Sequence, residues 1–581
     1  MTFLLPFLAA LTALLILPDW SFYFEVTPKV VIILLGAAAS IPSLRWPEGR
    51  RSRWFTGLMA LQAAGIVIAT AFSTNRWVSF YGTTWRKSGM LVELAVLVVA
   101  VAAAGQFSDP ERLRTWLRIT IAGSIPISIY AVFQYFGVDP VFPPSAYHFG
   151  EGRFMIVRPP STLGHAAYFA TYLLYVIFGG IALGRWEIAR VWKWIAFGTA
   201  GLAMFALVLS GTRAALVGLV VGLGFIAVRG LANRKWFAWA GIAVLLIGAF
   251  YVSPWGEKLR ARVFWSSEDA LGGARLFLWR DSLRMSTEHL GLGYGPETFA
   301  REFPRHLSLE LARAFPDFYH ESPHNIFLDA LLSKGLIGMI PLLALCLIGM
   351  TARDWLGGAF VAMLVSQQFS AFTAATELFF FVGLAMAVAE TREQVAWKSR
   401  NRLAYWSGVC LFALPFAWFA MVEGTGDWLL ASARRALDRG DLNEAARIEN
   451  NAWKWNAAAD VYFSRRFVAQ APRDAEQGLR VLQYAMNAAA RAPGTADDPQ
   501  NALVNLAALR AAINDAPGVE QSLRQAIVVA PNWYKAHWLL AQVLEREVRR
   551  AEALEEARLA FDRDGGKHVE VRQTRDQLEV R

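Results

Sequence analysis

The chain has 581 residues, of which 55% are hydrophobic and only 18% are charged, and it contains 23 Trp and 39 Phe. This balance excludes a soluble globular protein, which needs more polar surface, and it also excludes disordered, collagen-like and coiled-coil chains. The formal net charge is +10, and the basic surplus lies within the first 422 residues. Since basic runs interleaved with aromatic residues are missing from the sequence, the surplus indicates membrane topology and not nucleic-acid binding.

Apolar stretches follow one another from the N-terminus to about residue 421. A bilayer core requires about 20 apolar residues per helix, and this criterion predicts about 12–13 transmembrane helices. The first stretch has no basic flank and is expected to be a retained helix, not a cleaved signal. The predicted spans are roughly 3–17, 28–44, 54–72, 89–105, 115–137, 164–184, 192–209, 213–229, 236–252, 325–350, 356–373, 376–389 and 404–421.

The loops between these spans predict their orientation. With the N-terminus in the cytoplasm, the inner loops, which include Arg51, Arg114 and Arg190, hold more than twice as many basic residues as the short outer loops. This distribution follows the positive-inside rule. The long loop 253–323 then lies outside the cytoplasm, and loops of such length are usually functional or disordered.

After the last span the chain becomes amphipathic and rich in Ala, Arg and Glu. Residues Pro531–Asp564 show a helix–turn–helix pattern of 34 residues that is typical of a tetratricopeptide unit. Weaker copies are predicted at Gly440–Pro472 and Arg473–Pro493. We therefore expect two domains, a membrane domain over 1–422 and a helical, tetratricopeptide-like domain over 423–581 outside the cytoplasm; the alternative for the second is a plain helical bundle.

Arg213 lies in SGTRAALVGL, between two predicted membrane helices at the outer face. A guanidinium at membrane depth costs about 2.5–3.5 kcal/mol on insertion scales, so we expect it to face a polar cavity or a partner. The alternative is an interfacial arginine whose charged end reaches the water layer.

The outer-loop segment GARLFLWRDSLRMSTEHLGLGYGPETF (273–299) carries three further arginines. Arg280 and Arg284 are four residues apart and share one helix face, whereas Arg275 points elsewhere. The glycines of GLGYG (291–295) allow an irregular, closely packed backbone. Because this motif does not follow a strand, it is not interpreted as a dinucleotide site.

His324 and Asn325 open a predicted span within ESPHNIFLDALLSKGLIGMI (321–340). A histidine at this interface can accept a proton near neutral pH, although it can equally hydrogen-bond a helix end. Arginines bind phosphates bidentately, so Arg213, Arg275 and His324 together predict transfer of a group from a lipid phosphate to a hydroxyl. The sequence shows no cluster with metal-ligand spacing, and arginines are expected to take the place of a metal ion.

The order of these segments resembles the O-antigen ligase and O-antigen polymerase superfamily over about residues 70–390. Members with a tetratricopeptide-like C-terminal extension occur, and this chain resembles them. The matching segments are STNRWVSFYGTTWRKSGML (73–91), RPPSTLGHAAYFATYL (158–173), SGTRAALVGL (210–219), ARLFLWRDSL (274–283), GLGYGPETF (291–299) and HNIFLDALLSKGLIGMI (324–340).

The resemblance implies an all-α glycosyltransferase of the GT-C type in the bacterial inner membrane. It would take a glycan from undecaprenyl diphosphate at the periplasmic face and pass it to an acceptor without a metal or other cofactor. His324 matches the histidine proposed as the base, and Arg213 and Arg275 match the arginines that hold the diphosphate. Four residues in matching segments are assigned to substrate binding: Arg86, Arg158, Arg280 and Asn325.

Several alternatives remain open on the sequence. A lipid A–core acceptor would make the protein a ligase, another lipid-linked repeat would make it a polymerase, and a protein acceptor would make it an oligosaccharyltransferase. The C-terminal domain is a candidate site for a protein partner. Outside this family, a transporter usually has ionisable residues near the bilayer midplane and internal repeats, and a membrane-anchored scaffold would leave the outer arginines and His324 unexplained.

Overall fold

The computed structural model describes residues 2–44, 49–149, 155–230, 234–261, 273–390, 402–452, 459–472 and 475–580. Its regular structure is almost entirely helical, which confirms the prediction of an all-α membrane protein. Part of the predicted outer loop, residues 262–272, lies outside the described residues. The strands in the described part are β1 (His148–Phe149) and β2 (Ile156–Val157), which pair antiparallel.

The helices up to the end of the membrane domain are α1 (Leu4–Leu14), α2 (Thr27–Ser40), α3 (Arg50–Ala71), α4 (Arg76–Tyr81), α5 (Met90–Phe107), α6 (Pro110–Tyr135), α7 (Ala166–Trp186), α8 (Arg190–Leu209), α9 (Arg213–Val228), α10 (Arg234–Val252), α11 (Arg275–Ser286), α12 (Phe299–His306), α13 (Leu309–Ala314), α14 (Ile326–Gly349), α15 (Trp355–Ser366), α16 (Ala374–Val388) and α17 (Arg402–Asp438). The C-terminal helices are α18 (Leu442–Ala452), α19 (Asp460–Ala469), α20 (Ala475–Thr495), α21 (Pro499–Ala512), α22 (Ala516–Val529), α23 (Tyr534–Arg546), α24 (Arg550–Asp564) and α25 (Val569–Val580).

A helix occurs in every apolar segment that the sequence predicts to span the membrane. Within the described ranges, 7 helices are long and apolar enough to cross a bilayer, and four further apolar helices are shorter. The prediction of about 12–13 spans therefore holds for the positions of the helices and not for their lengths. The 7 long segments are Arg50–Ala71, Met90–Phe107, Pro110–Tyr135, Ala166–Trp186, Arg190–Leu209, Ile326–Gly349 and Trp406–Asp438.

Helix α7 lies at the centre of the membrane domain, and 94% of its most apolar stretch is buried. Its buried Tyr172 and Tyr175 rings pack on Phe379 of α16, with centroid distances of 4.7 and 5.0 Å. Gly180 allows α8 to approach closely, because a Cβ there would lie 2.9 Å from the Ala196 carbonyl oxygen. Small residues at such crossings permit close van der Waals packing, which holds helices together in lipid, where the hydrophobic effect does not drive their association.

The GLGYG segment pairs its backbone with a break in helix α14. Gly335 has φ 59° and ψ −160° inside that helix, which frees backbone groups on both sides of the break. Tyr294 N donates to Leu332 O at 2.7 Å, Gly295 N donates to Ser333 O at 3.0 Å, and Leu336 N donates to Leu290 O at 2.9 Å. The glycines predicted to permit a closely packed backbone therefore hold the 287–298 loop against the membrane domain.

An ion pair lies at the same break. Lys334 Nζ contacts the two Glu93 carboxylate oxygens at 3.0 and 2.8 Å, and both side chains are buried. A charge inside a bilayer is tolerated when it faces a partner and not lipid. The pair therefore links α5 to the broken α14 beneath the outer loops.

The C-terminal helices pack on the loops that precede and follow the membrane helices. Helix α17 is 37 residues long and continues beyond its apolar segment, toward the helical hairpins α21–α22 and α23–α24. The 34-residue unit corresponds to α23 and α24, whereas Arg473–Pro493 falls largely on the single helix α20. The assignment of these helices to tetratricopeptide repeats stays a prediction.

Candidate active site

An open cavity of ≈ 620 Å³ lies between the membrane helices and the segments that connect them. Four of the predicted residues line it: Arg158, Arg213, Arg275 and His324. Because these positions span more than 160 residues of sequence, only the tertiary fold brings them together.

Four helices begin at this cavity. Ala167 lies in the first turn of α7, Arg213 and Arg275 are the first residues of α9 and α11, and His324 directly precedes the N-cap of α14. Helix N-termini carry unpaired N–H groups and a partial positive charge. The cavity therefore combines three guanidinium groups with helix ends that favour an anion.

Arg213 lies at the break between the membrane helices α8 and α9. Gly211 has a positive φ of 58°, and Ser210 Oγ accepts from Thr212 N at 3.3 Å, which ends α8 and starts α9. The Arg213 side chain is exposed to the cavity, and among the described residues it makes no hydrogen bond or ion pair. Its charge is therefore available to a ligand.

Arg158 and Arg275 are held from different elements. Arg158 follows β2, and its backbone N donates to Tyr147 O at 3.0 Å. Arg275 Nη2 donates at 3.4 Å to Phe369 O, which lies in the turn between α15 and α16. Both guanidinium groups are partly buried at the cavity wall.

His324 has a left-handed backbone, with φ 51°, which is uncommon for a residue other than glycine and is often found at functional sites. Ser322 Oγ accepts from His324 N at 3.2 Å and lies 3.4 Å from His324 Nδ1. Burial, and after it the charge of Arg275, lowers the pKa of His324 to about 3. The imidazole is therefore neutral at physiological pH and can accept a proton.

Three other predicted binding residues lie behind the cavity wall and not on it. Arg280 turns to the opposite side of α11, where it contacts Asp281 at 3.1 Å and Ser308 Oγ at 2.7 Å. Asn325 caps α14 by accepting from Phe327 N and Leu328 N at 3.0 and 3.1 Å.

Arg86 is the third of these residues and is buried in an ion pair. Its Nε donates to Glu297 at 2.9 Å, and its Nη2 lies 3.8 Å from Asp329. Burial alone would raise the pKa of Glu297, but the neighbouring Arg86 guanidinium brings it below its ordinary value. Arg86 therefore connects its own loop to the segment of Glu297 and to the start of α14 beside the site.

The cavity also contains residues that the sequence reasoning did not single out. Glu321 accepts a hydrogen bond from Tyr168 OH at 3.4 Å, and Trp85 and Trp279 present aromatic rings. Burial raises the pKa of Glu321, and the charge of Arg86 opposes that rise. The sequence indicates these residues only through their nearness to predicted ones, since Glu321 precedes His324 by three residues and Trp85 adjoins Arg86.

The described residues contain no group of three or more His, Cys, Asp or Glu side chains arranged to hold a metal ion. Among the described residues, the charged side chains that line the cavity are one carboxylate, Glu321, and the three arginines. These cationic donors are suited to a phosphate ligand.

The fold and the site define a multi-pass helical membrane protein with an arginine-lined cavity at one end of its membrane helices. Residues 198–343 match a family model described as O-antigen ligase. The protein thus carries an O-antigen ligase family domain, and this family transfers lipid-linked glycans, a glycosyltransferase-type activity in lipopolysaccharide biosynthesis. The matched range includes Arg213, Arg275 and His324. The search among curated proteins found no match.

Proposed function

We propose that the protein transfers a glycan from undecaprenyl diphosphate to an acceptor hydroxyl, without a metal ion and with inversion at the anomeric carbon. The observation that carries this proposal is the gathering of Arg158, Arg213, Arg275 and His324 around one cavity. Guanidinium groups match the oxygens of a diphosphate, and a neutral imidazole matches the proton of an attacking hydroxyl.

In the proposed step, the acceptor oxygen forms a bond to the anomeric carbon while the bond from that carbon to the diphosphate oxygen breaks. His324 takes the acceptor proton, and Arg213 and Arg275 stabilise the negative charge that develops on the leaving diphosphate. Arg158 holds the lipid phosphate or the glycan. Arg86, Arg280 and Asn325 support these residues from behind the cavity wall.

The low pKa of His324 fits this order of events. In the free enzyme burial, and after it the charge of Arg275, keeps the imidazole neutral. The donor brings the negative charge of its diphosphate next to the same arginine, and this charge raises the pKa of His324 toward the range of an effective base. Donor binding thereby prepares His324 to accept the proton.

The site is proposed to face the periplasm. Helices α7, α9 and α14 each begin at the cavity and end beside basic inner loops, where Arg118 pairs with Glu187 at 2.7 Å and Arg229 donates to Met350 O at 3.2 Å. The positive-inside rule assigns this second end to the cytoplasm.

Single-cysteine variants test this orientation, with the native Cys346 and Cys410 replaced by Ser. A membrane-impermeant maleimide should label Arg549→Cys of the C-terminal region in intact spheroplasts, and it should label Arg190→Cys only after permeabilisation. The opposite labelling pattern would reverse the assignment.

The acceptor is proposed to be lipid A–core, as in an O-antigen ligase. The purified protein in liposomes would receive an undecaprenyl-diphosphate oligosaccharide in EDTA, with and without rough lipopolysaccharide, and the products would be separated by size. Glycan on lipid A–core supports the ligase. A ladder of longer lipid-linked chains without that acceptor would instead identify a polymerase, and transfer to neither would contradict both assignments.

A further inference from the structure

Trp85 is half exposed, with 50% of its surface accessible, and its ring faces the site. It lines the ≈ 620 Å³ cavity and also a smaller adjoining cavity of ≈ 30 Å³, and the two cavities share Trp85, His165 and Tyr168. An exposed tryptophan at this junction presents a flat apolar surface beside the groups proposed to bind the diphosphate.

The residues on both sides of Trp85 are fixed by polar contacts to three different parts of the chain. Thr83 N donates to Glu297 at 3.3 Å, and Arg86 Nε donates to the same carboxylate at 2.9 Å. Lys87 Nζ contacts Glu423 of α17 at 2.6 Å. The backbone beside Trp85 is therefore held by the outer loop and by the last membrane helix.

The third contact comes from the C-terminal region. Asp497, between α20 and α21, accepts from Thr84 N at 3.1 Å and from Thr84 Oγ1 at 2.5 Å. Tyr319 OH donates to the Asp497 carbonyl at 3.1 Å. The C-terminal region thus fixes the backbone of Thr84, which directly precedes Trp85.

We infer that Trp85 is a substrate-contact residue on which a pyranose ring stacks, and that Asp497 is its positioning residue. The C–H face of a sugar ring packs against an indole, which has an apolar body and a polar edge. The Glu321 carboxylate lines the same cavity and can accept hydrogen bonds from sugar hydroxyls. This inference rests on the proposed function, and the stacked ring belongs either to the donor glycan or to the acceptor.

The test compares Trp85→Ala with Trp77→Ala in nanodiscs. Trp77 is a matched control because it has the same exposure, 50%, and packs on Tyr81 with a centroid distance of 4.1 Å, yet it is not part of the lining of either cavity. Binding would be measured for undecaprenyl diphosphate with and without its glycan, and KM for the donor and for rough lipopolysaccharide.

Trp85→Ala should weaken glycan-dependent recognition roughly tenfold, the size expected when one aromatic contact is lost, and Trp85→Phe should restore most of it. A raised KM for the donor alone assigns the ring to the donor, and a raised KM for the acceptor alone assigns it to the acceptor. Binding of the sugar-free lipid should stay unchanged. Equal losses in Trp85→Ala and Trp77→Ala, or equal losses with and without the glycan, would overturn the inference and indicate an interfacial anchor.

Asp497→Ala should raise the same KM while leaving kcat close to wild type. Combined with Trp85→Ala it should have little further effect, because both substitutions impair the same contact between Trp85 and the sugar ring. Fully additive effects would contradict the positioning role. Failure of wild-type protein to bind even the sugar-free diphosphate lipid would contradict the proposed phosphate site, which separates that outcome from a failure of the Trp85 inference.

Discussion

The Arg275 guanidinium and the His324 imidazole line the same cavity, although 48 positions separate them in the chain. Burial and then the Arg275 charge lower the pKa of His324 to about 3. Arg275, proposed to hold the leaving group, thereby contributes, after burial, to keeping the proposed base neutral. This coupling gives the site a pH dependence that differs from that of an ordinary histidine.

The first prediction concerns that pH dependence. The neutral imidazole is the active form, so activity is lost as the pH falls through the pKa of His324. In the wild type, kcat/KM should show no acid limb from His324 between pH 5 and pH 8, because its pKa is about 3. Arg275→Gln removes a nearby cation and should move the acid limb to higher pH. A wild-type limb near the ordinary histidine pKa of about 6.5 would contradict the assignment.

The second prediction distinguishes Arg213 and Arg275, which line the cavity, from Arg280, which does not. Arg213→Ala and Arg275→Ala should each lower kcat by about 10²–10³-fold, the effect of removing one charge-stabilising donor. Arg280→Ala is the matched control, because Arg280 lies on the same helix as Arg275 but contacts Ser308 behind the cavity wall. Turnover by the three variants in liposomes would be compared at equal protein. Loss of activity only in Arg280→Ala would transfer the phosphate role to that residue.

The third prediction concerns Gly291 and Gly293 of the GLGYG motif, which differ in the space around them. Gly293 has a φ of +72°, and a Cβ there would lie 2.6 Å from the backbone of α14, whereas a Cβ at Gly291 would meet nothing within 4 Å. Gly293→Ala should therefore disrupt the pairing of the 287–298 loop and lower both thermal stability and activity. Gly291→Ala should resemble the wild type in both measurements, and equal behaviour of the two variants would show that the close packing is unimportant.

The fourth prediction concerns the buried pair of Lys87 and Glu423, which are 3% exposed at their side chains. Lys87→Met leaves an unpaired buried carboxylate and should destabilise the protein by about 3–5 kcal/mol. The double variant Lys87→Met/Glu423→Met should recover much of that loss, because it removes both charges. Unfolding of the solubilised protein measures both changes. A double variant no more stable than the single one would show that the charges are not coupled.

Much of the fold follows from composition, because stretches of apolar residues have few alternatives to membrane helices. The lengths of these helices do not follow from hydropathy alone. Helix α9 starts at Arg213 because Gly211 breaks the backbone, and α14 bends at Gly335 because the GLGYG segment pairs with it. Such breaks depend on contacts between segments that are distant in sequence.

The residues of the site are also only partly predictable from the sequence. Helix periodicity indicates that Arg275 and Arg280 point in different directions, but it does not indicate which of them faces a cavity. Asn325 is predicted to bind substrate, but its side chain caps α14 and donates to Gln368. The partner of Arg86 is Glu297, 211 residues away, and no local pattern predicts such a pairing.

The most direct test of the account separates donor binding from transfer. Nanodisc-embedded wild type, His324→Ala and the double variant Arg213→Ala/Arg275→Ala would be titrated with undecaprenyl-diphosphate oligosaccharide and then followed through a single turnover with acceptor. We expect His324→Ala to bind the donor like the wild type but to transfer it at least about 10²-fold more slowly, and we expect the double arginine variant to lose binding. Wild-type transfer by His324→Ala, or full donor binding by the double arginine variant, would contradict the proposed roles of these residues.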